Sequence, residues 1–516
     1  MRLFNLTKTY TGDVPPKATT ASYCGVSAFR DACYQLVSAF LITYITFSGL
    51  LSSDTKTYLA QMGVISVIIV ICRIWDGIND PIMGWIIEKF HFKWGKYKPW
   101  IFIGAILNTI VVLTLFLAHP AGDGWGFVVL FGIFYFLWDL AWTINDIAYW
   151  SMLPSLTTDE ARRNKITSIM QIFISIGVFA VYGAVPLLVG DPKSGADAQK
   201  VYGIIAIIVC TLFLISQIVL CLMAKEHVRD EEVEKKEQED VKFSDMFTLF
   251  KKNDQFRVNI VSIFLNYLAS GTLVAFAMYY CYLVFGYGAD AGGNISFMLT
   301  VMYAVSTLVS QVLYPILSKK LNRKQIYTIA AAFIAAGYLM FFFTGFPVFG
   351  SIPAIANPIL VYIPALLLFF GQGLVSVAII MQMQSTIEYN ELKTGERKEA
   401  IVSSMRALVA KWASAVQQGL IYATLGICGL YALTNTISDY ENALHNRLNP
   451  IEIANLKNAM DSALSGAQNG QLIGLGIGMI VIPLILMLLA IFLSTKVFKI
   501  DEKKYAEITA ELKNRK

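Results

Sequence analysis

The chain predicts an all-α integral membrane protein built as two six-helix halves. Of its 516 residues, 56% are hydrophobic and only 15% are charged, whereas roughly a quarter of the residues of a soluble domain carry charge. The apolar residues fall in long runs of roughly 20, the length that crosses a bilayer core. One extended charged interruption, residues 225–256, divides six such runs from six more.

The runs predict twelve transmembrane helices near 22–50, 58–86, 99–118, 125–153, 166–189, 201–224, 258–285, 295–317, 326–346, 359–388, 401–433 and 471–495. Starting inside, most of the 41 Lys and Arg fall on the cytoplasmic side. The positive-inside rule then puts both termini in the cytoplasm, with the chain a multi-pass protein of the plasma (inner) membrane. Residues 1–21 are polar, carry Pro15 and Pro16, and hold no apolar core. They read as a cytoplasmic tail with no cleavable signal peptide.

Residues 22–224 form the expected first bundle and 257–495 the second. The 225–256 stretch, acidic from Arg229 to Asp240, reads as a solvated linker; an amphipathic surface helix over 243–250 is the alternative. Residues 434–470 are expected outside, where Leu444, Leu448, Ile451, Ile453, Leu456 and Met460 allow one or two short surface helices. Residues 496–516 are a second cytoplasmic tail. All seven cysteines fall inside spans, without a CxxC pair, and read as small packing residues.

A short echo relates the halves. Pro81 and its basic loop recur as Pro315 and the run from Ser318 to Lys324, and the stretch from Asp146 to Arg163 resembles that from Glu388 to Lys398. Parallel repeats flanking a midplane site are a transporter design.

Charged residues within the spans locate that site, because carboxylates in hydrocarbon are rare and functional by default. Span two ends in the run from Arg73 to Gly84, holding Asp76, Asn79 and Asp80. Asp76 and Asp80 are four residues apart and share a helix face, with Asn79 beside them. Two carboxylates and an amide oxygen suit Na⁺, Li⁺ or H⁺. Span one carries Arg30 and Asp31, about 100° apart on a helix; Asp31 is expected to face the cavity while Arg30 pairs elsewhere or snorkels inward. On span four, Asp139, Thr143, Asp146 and Trp150 lie at i, i+4, i+7 and i+11, one continuous face. A carboxylate beside an aromatic plane suits a sugar, since the acid takes its hydroxyls and the ring its C–H faces. Trp142 either packs or lines the cavity. Five acids against Arg30 and Arg73 in this half require a co-bound cation. Lys411, ten residues into span eleven, either reaches these acids or anchors the cytoplasmic side, and Arg406 lies nearby.

With these residues in view, the chain resembles the glycoside–pentoside–hexuronide:cation symporter family of the major facilitator superfamily. The motifs that carry the resemblance are Phe29-Arg30-Asp31, Arg73 through Pro99, Trp138 through Pro154, and Glu388 through Lys411. It implies the major facilitator fold, twelve helices in two six-helix bundles working by alternating access. It implies that Asp76, Asn79, Asp80 and Thr143 bind the coupling cation, as a metal site if that cation is Na⁺. It implies that Asp31, Asp146 and Trp150 bind sugar, with Trp142, Lys411, Arg30 and Asp139 around them. Gln171 stands where a relative has a cavity arginine, and Asp139 is an acid where a small residue is usual; both departures bear on sugar specificity.

The expected function is uptake of a neutral glycoside, di- or oligosaccharide, driven by Na⁺ or H⁺. The partners are the sugar, the cation and the lipid bilayer, with no nucleic acid, no cofactor beyond the cation, and a monomeric chain. A pentoside, hexuronide or polar-lipid carrier is the alternative within transport. A membrane enzyme is disfavoured because His91, His119, His227 and His445 lie far apart in loops and no nucleophile or metal motif appears. A non-transporting sensor would bind sugar without flux.

Overall fold

The computed structural model describes residues 9–10, 14–90, 92, 94–120, 122–156, 160–190, 196–227, 250–251, 253–394 and 399–515. Most of the 225–256 linker, including the 243–250 helix expected there, lies outside the described residues.

The helices follow the apolar runs. They are α1 (Lys17–Phe47), α2 (Thr55–Lys89), α3 (Lys98–Leu117), α4 (Trp125–Leu156), α5 (Glu160–Leu188) and α6 (Ala198–Met223), then α7 (Asp254–Phe285), α8 (Asn294–Leu317), α9 (Arg323–Gly345), α10 (Ile359–Thr394) and α11 (Glu399–Ile427). Next come two shorter helices, α12 (Tyr431–His445) and α13 (Pro450–Ser465), the apolar run α14 (Asn469–Val497), and a terminal α15 (Glu502–Arg515). A two-residue strand, β1 (Thr9–Tyr10), pairs in parallel with β2 (Glu226–His227).

Each of the twelve expected runs is helical, and ten helices among the described residues are long and apolar enough to cross a membrane. The helix α1 is not one of those ten, and α11 reaches the criterion only together with α12, across a break between them. Both carry the polar and charged residues that the sequence marks as functional, which lowers their hydropathy.

Local chemistry sets several boundaries. Asp54 caps α2 by accepting from the Thr57 amide at 2.9 Å, and Asp197 caps α6 by accepting from the Lys200 amide at 2.8 Å. Asn322 and Gln325 form a reciprocal capping box at α9.

The chain divides into two compact units. The first holds residues 1–239, 286–297 and 431–464; the second holds 240–285, 298–430 and 465–516. In the first unit α1 packs on α5 and α6, α3 on α4 and α6, and α2 on α4. Glycines permit the closest approaches. A Cβ on Gly177 of α5 would stand 1.9 Å from the Ala28 carbonyl oxygen of α1, and one on Gly104 of α3 would stand 2.6 Å from the Asn145 amide of α4. No side chain fits at either crossing, so α1 and α4, which bear the acids, are set by backbone contact.

Two segments of the second sequence half therefore belong to the first unit. One is 286–297, and the other contains α12 and α13. The structure forms both short helices the sequence allows. Of the apolar residues noted there, Met460 is buried, Leu444, Ile453 and Leu456 are half-buried, and Leu448 and Ile451 are exposed; the buried side of α12 mixes Tyr431, Leu433, Ile437 and Ala443 with Thr434, Asn435, Ser438 and Glu441.

In the second unit α9 packs along α10, and α7 packs on α11, α14 and α10. Phe498, Ile500 and Ile508 cluster against Val258, Tyr389 and Leu392, which docks α15. The Arg323 amide donates to Glu502 at 2.6 Å.

Candidate functional site

The acids marked within the first spans sort into two neighbouring clusters on α1, α2 and α4. In the first, the Arg30 guanidinium is ion-paired with Asp146 and lies 3.5 Å from the Asp31 carboxylate. Arg30 is 2% exposed, against 17% for Asp31 and 24% for Asp146. The buried cation thus sits behind two carboxylates that keep an open side. Aromatic rings surround it: its guanidinium carbon is 4.5 Å from the Tyr149 ring centroid, 5.1 Å from Trp142 and 5.8 Å from Trp150. Such contacts favour a cation most where water is excluded.

This corrects one expectation. Arg30 does not pair away from the site: its long side chain returns to Asp31 and reaches across to α4. The backbone separation of adjacent residues by about 100° fixes where a Cβ points, but not where a guanidinium several bonds further out ends. Arg30 therefore joins the two carboxylates expected to bind sugar.

The second cluster contains the expected cation ligands. Thr143 Oγ1 donates to Asp76 Oδ1 at 3.4 Å, joining α4 to α2. Asp76 and Thr143 are both buried. One turn along α2, Asn79 is buried with its Nδ2 unpartnered, and Asp80 is half-buried. One turn the other way, Arg73 donates to the Tyr34 hydroxyl at 3.5 Å and lies 5.7 Å from the Trp138 ring. Asp139 is buried on α4, close enough to Cys72 and Tyr135 to act on both electrostatically.

Tyr34 bridges the clusters. Its ring is 4.9 Å from Trp142 and 5.8 Å from Trp138, so the rings near Arg30 and those near Arg73 form one aromatic wall. The sequence reading did not single out Tyr34, Trp138, Tyr149 or Tyr23. Their signal was spacing: Tyr34 follows Asp31 by three residues and Tyr149 follows Asp146 by three, the same-face interval of a helix.

Two further expected residues lie on α5 and α11. The side chain of Gln171 is exposed, and its carbonyl oxygen accepts from Ser175 at 2.9 Å. The preceding residue explains this. Met170 is fully buried and its carbonyl accepts from Ser27 of α1 at 3.2 Å, so Gln171, about 100° further round, is turned off that contact. Lys411 is half-buried on α11 of the second unit, where Arg406 donates to the Tyr267 hydroxyl at 3.1 Å.

The family model described as MFS/sugar transport protein matches residues 28–502, which takes in both clusters. The chain belongs to this family. Members of known name are similar over most of its length. The raffinose carrier protein of Pediococcus pentosaceus is 27% identical over 94% of this chain and 69% of its own. The lactose permease of Leuconostoc lactis is 27% identical over 93% and 69%. The isoprimeverose transporter of Lactiplantibacillus pentosus is 22% identical over 73% and 74%. Among solved structures, a D-xylose-proton symporter superposes with a TM-score of 0.52 at 14% identity, covering 92% of this chain and 96% of that one. A bacterial homologue of the lysosomal transporter Spinster superposes with a TM-score of 0.58 at 14% identity. These structures establish the major facilitator fold, and the chain is a sugar-transport symporter of that superfamily.

Proposed function

We propose that this symporter takes up a neutral glycoside, di- or oligosaccharide together with Na⁺ or H⁺, by alternating access. The observation that carries the proposal is the Arg30 arrangement, two partly open carboxylates held by one buried guanidinium against Trp142, Tyr149 and Trp150. Asp31 and Asp146 accept sugar hydroxyls, while Arg30 keeps the two carboxylates close and disperses part of their charge. Trp150, half-buried at the edge of the cluster, stacks on the apolar face of the ring. The names of the relatives, which mention raffinose, lactose and isoprimeverose, support a substrate with more than one sugar ring.

Asp76, Thr143, Asn79 and Asp80 take the cation. All their donor atoms toward it are hard oxygens, the preference of alkali cations and protons. Cation and sugar residues share α4, Thr143 and Asp146 lying three residues apart on one face. A cation drawing α2 toward α4 therefore orders the helix that presents Asp146 and Trp150, which couples the sites. No covalent chemistry is involved and no cofactor beyond the cation. The chain works as a monomer in the plasma membrane with both termini in the cytoplasm, an orientation supported by its distribution of Lys and Arg.

The test is sugar binding to purified protein across a panel of α- and β-glycosides, with and without Na⁺, at two pH values. Linkage requires the coupling cation to tighten sugar binding by the factor by which sugar tightens the cation. Binding of a neutral glycoside strengthened by Na⁺ or by acid is the expected result. A glucuronide bound in preference to every neutral sugar would sink the neutral-substrate assignment.

A further inference from the structure

A buried carboxylate outside both clusters lies in the stretch expected outside the membrane. Glu441, on α12, is 1% exposed. Its Oε2 accepts from the Ala198 amide at the start of α6, at 2.6 Å, and its Oε1 accepts from the Tyr287 hydroxyl at 2.7 Å. One carboxyl thus ties together three separate stretches of chain, all within the first unit.

Polar contacts hold the rest of α12 in place. Asn435 donates to the Ser53 carbonyl at 3.0 Å, and the Tyr58 and Thr434 hydroxyls are 3.2 Å apart. Gly49 lies so close to Asn442 that a Cβ there would stand 2.6 Å from its amide. Tyr431, Leu433, Ile437 and Ala443 are buried on the same helix, and the polar groups buried among them weigh on whether it stays seated, because leaving one unsatisfied costs its desolvation.

We infer that Glu441 is a proton-binding site, separate from the cation residues on α2 and α4, whose occupancy sets how firmly α12 is held on the ends of α1, α2 and α6. The charged and titratable neighbours are few. From α6 comes Asp197, which is 3.4 Å from His445 and caps Lys200. From the 286–297 segment comes Tyr287. From α12 come Asp439, Tyr440 and His445. Beyond His445 lies His119, ring to ring at 6.0 Å, itself 2.5 Å from the Tyr44 hydroxyl. No Lys or Arg is paired with Glu441 among the described residues. The two donors that favour its ionised form are opposed by burial and by Asp197.

The direction follows from that balance. Burial, helped by Asp197 and only partly offset by Tyr287 and the Ala198 amide, raises the Glu441 carboxyl from 4.5 to about 7. A carboxyl that binds its proton more tightly when docked than when free stabilises docking in acid, and this stabilisation is lost as pH rises through about 7. The protonation state of the docked carboxyl therefore changes near neutral pH. Only residues 428–430 separate α12 from α11 along the chain. The external placement rests on the orientation proposed above, whereas proton-linked docking stands on the contacts alone.

The experiment is hydrogen–deuterium exchange of the full-length protein in lipid nanodiscs from pH 5.5 to 9. Protection factors are corrected for intrinsic exchange and read over residues 431–445. Wild type should gain about tenfold protection between pH 8.5 and 6. Glu441→Gln should be level across the range. Tyr287→Phe removes a donor to the ionised form and should move the onset of the gain to higher pH. His445→Gln should leave the profile in place. A level wild-type profile, a Glu441→Gln variant with the wild-type slope, or loss of the slope in His445→Gln would each overturn the inference. Because exchange needs neither sugar nor cation, its outcome is independent of the transport proposal.

Discussion

Tyr23 and Tyr149 each donate a hydroxyl hydrogen bond to the other's backbone carbonyl, at 2.9 and 2.7 Å, across stacked rings 4.5 Å apart. This reciprocal pair fastens α1 to α4 one turn from Asp146 and supports the Arg30 guanidinium on the Tyr149 ring. Tyr149→Phe keeps the ring and removes one buried donor, so it should cost about 1 kcal/mol of stability with sugar affinity retained. Tyr149→Ala also removes the platform and should cost roughly 3–5 kcal/mol together with sugar binding. Thermal unfolding and sugar titration on the two variants check the split. Loss of binding in Tyr149→Phe would mean the hydroxyl itself contacts sugar.

Arg30 and Asp146 should behave as one unit. Removing either partner of this part-buried ion pair leaves an uncompensated charge, at a cost of up to about 3–5 kcal/mol, the range for a fully buried pair. Arg30→Met and Asp146→Asn should each lower stability and weaken sugar binding, and the double variant should be less damaged than the sum of the singles. A double-mutant cycle should return an interaction energy of roughly 1–3 kcal/mol. Additive effects would show that Arg30 acts on the site through Asp31 alone.

How much of this could be read without coordinates depends on the length of the interaction. The twelve helical runs and the face joining Asp139, Thr143, Asp146 and Trp150 are local periodicities, visible in sequence because a helix repeats every few residues. The Thr143–Asp76 contact was foreshadowed by two motifs on separate helices. The helix-face reading missed the pairing of Arg30, which the family resemblance had set beside the sugar residues, because Cβ direction does not determine the reach of a long flexible side chain. Gln171 was named from alignment alone, because the rotation of α5 shows only in the Ser27–Met170 contact. Glu441 gave no signal at all: in a polar stretch an acid looks solvated, and its burial depends on Tyr287 and Ala198, more than 150 residues away.

Thr143→Val tests whether the hydroxyl near Asp76 serves the cation. The change preserves shape and removes the donor and the oxygen. Losing one such contact, on the order of 1 kcal/mol, should raise the cation concentration for half-maximal uptake about fivefold. Sugar affinity at saturating cation should be unchanged. A fall in sugar affinity that excess cation cannot restore would place Thr143 in the sugar site instead.

The crossing of α1 and α5 makes the last prediction, and the same helix supplies its control. At Gly177 a methyl would collide with the Ala28 carbonyl, an atom of backbone that cannot rotate away. The helices must separate, and overpacking of this kind costs roughly 1–3 kcal/mol. Ala28 lies two residues before Arg30, so the displacement reaches the sugar cluster first, while α2 and α4 keep their own contact through Asp76 and Thr143. Gly177→Ala should thus weaken sugar binding by more than it weakens cation binding. At Gly25, on α1, a Cβ meets nothing within 4 Å, and alanine inside a helix is favoured over glycine by up to about 1 kcal/mol. Gly25→Ala should leave both affinities unchanged and raise the unfolding temperature slightly. Equal loss of sugar binding in the two variants would show that α1 must flex during binding, and that its close seat on α5 is not what positions Arg30 and Asp31.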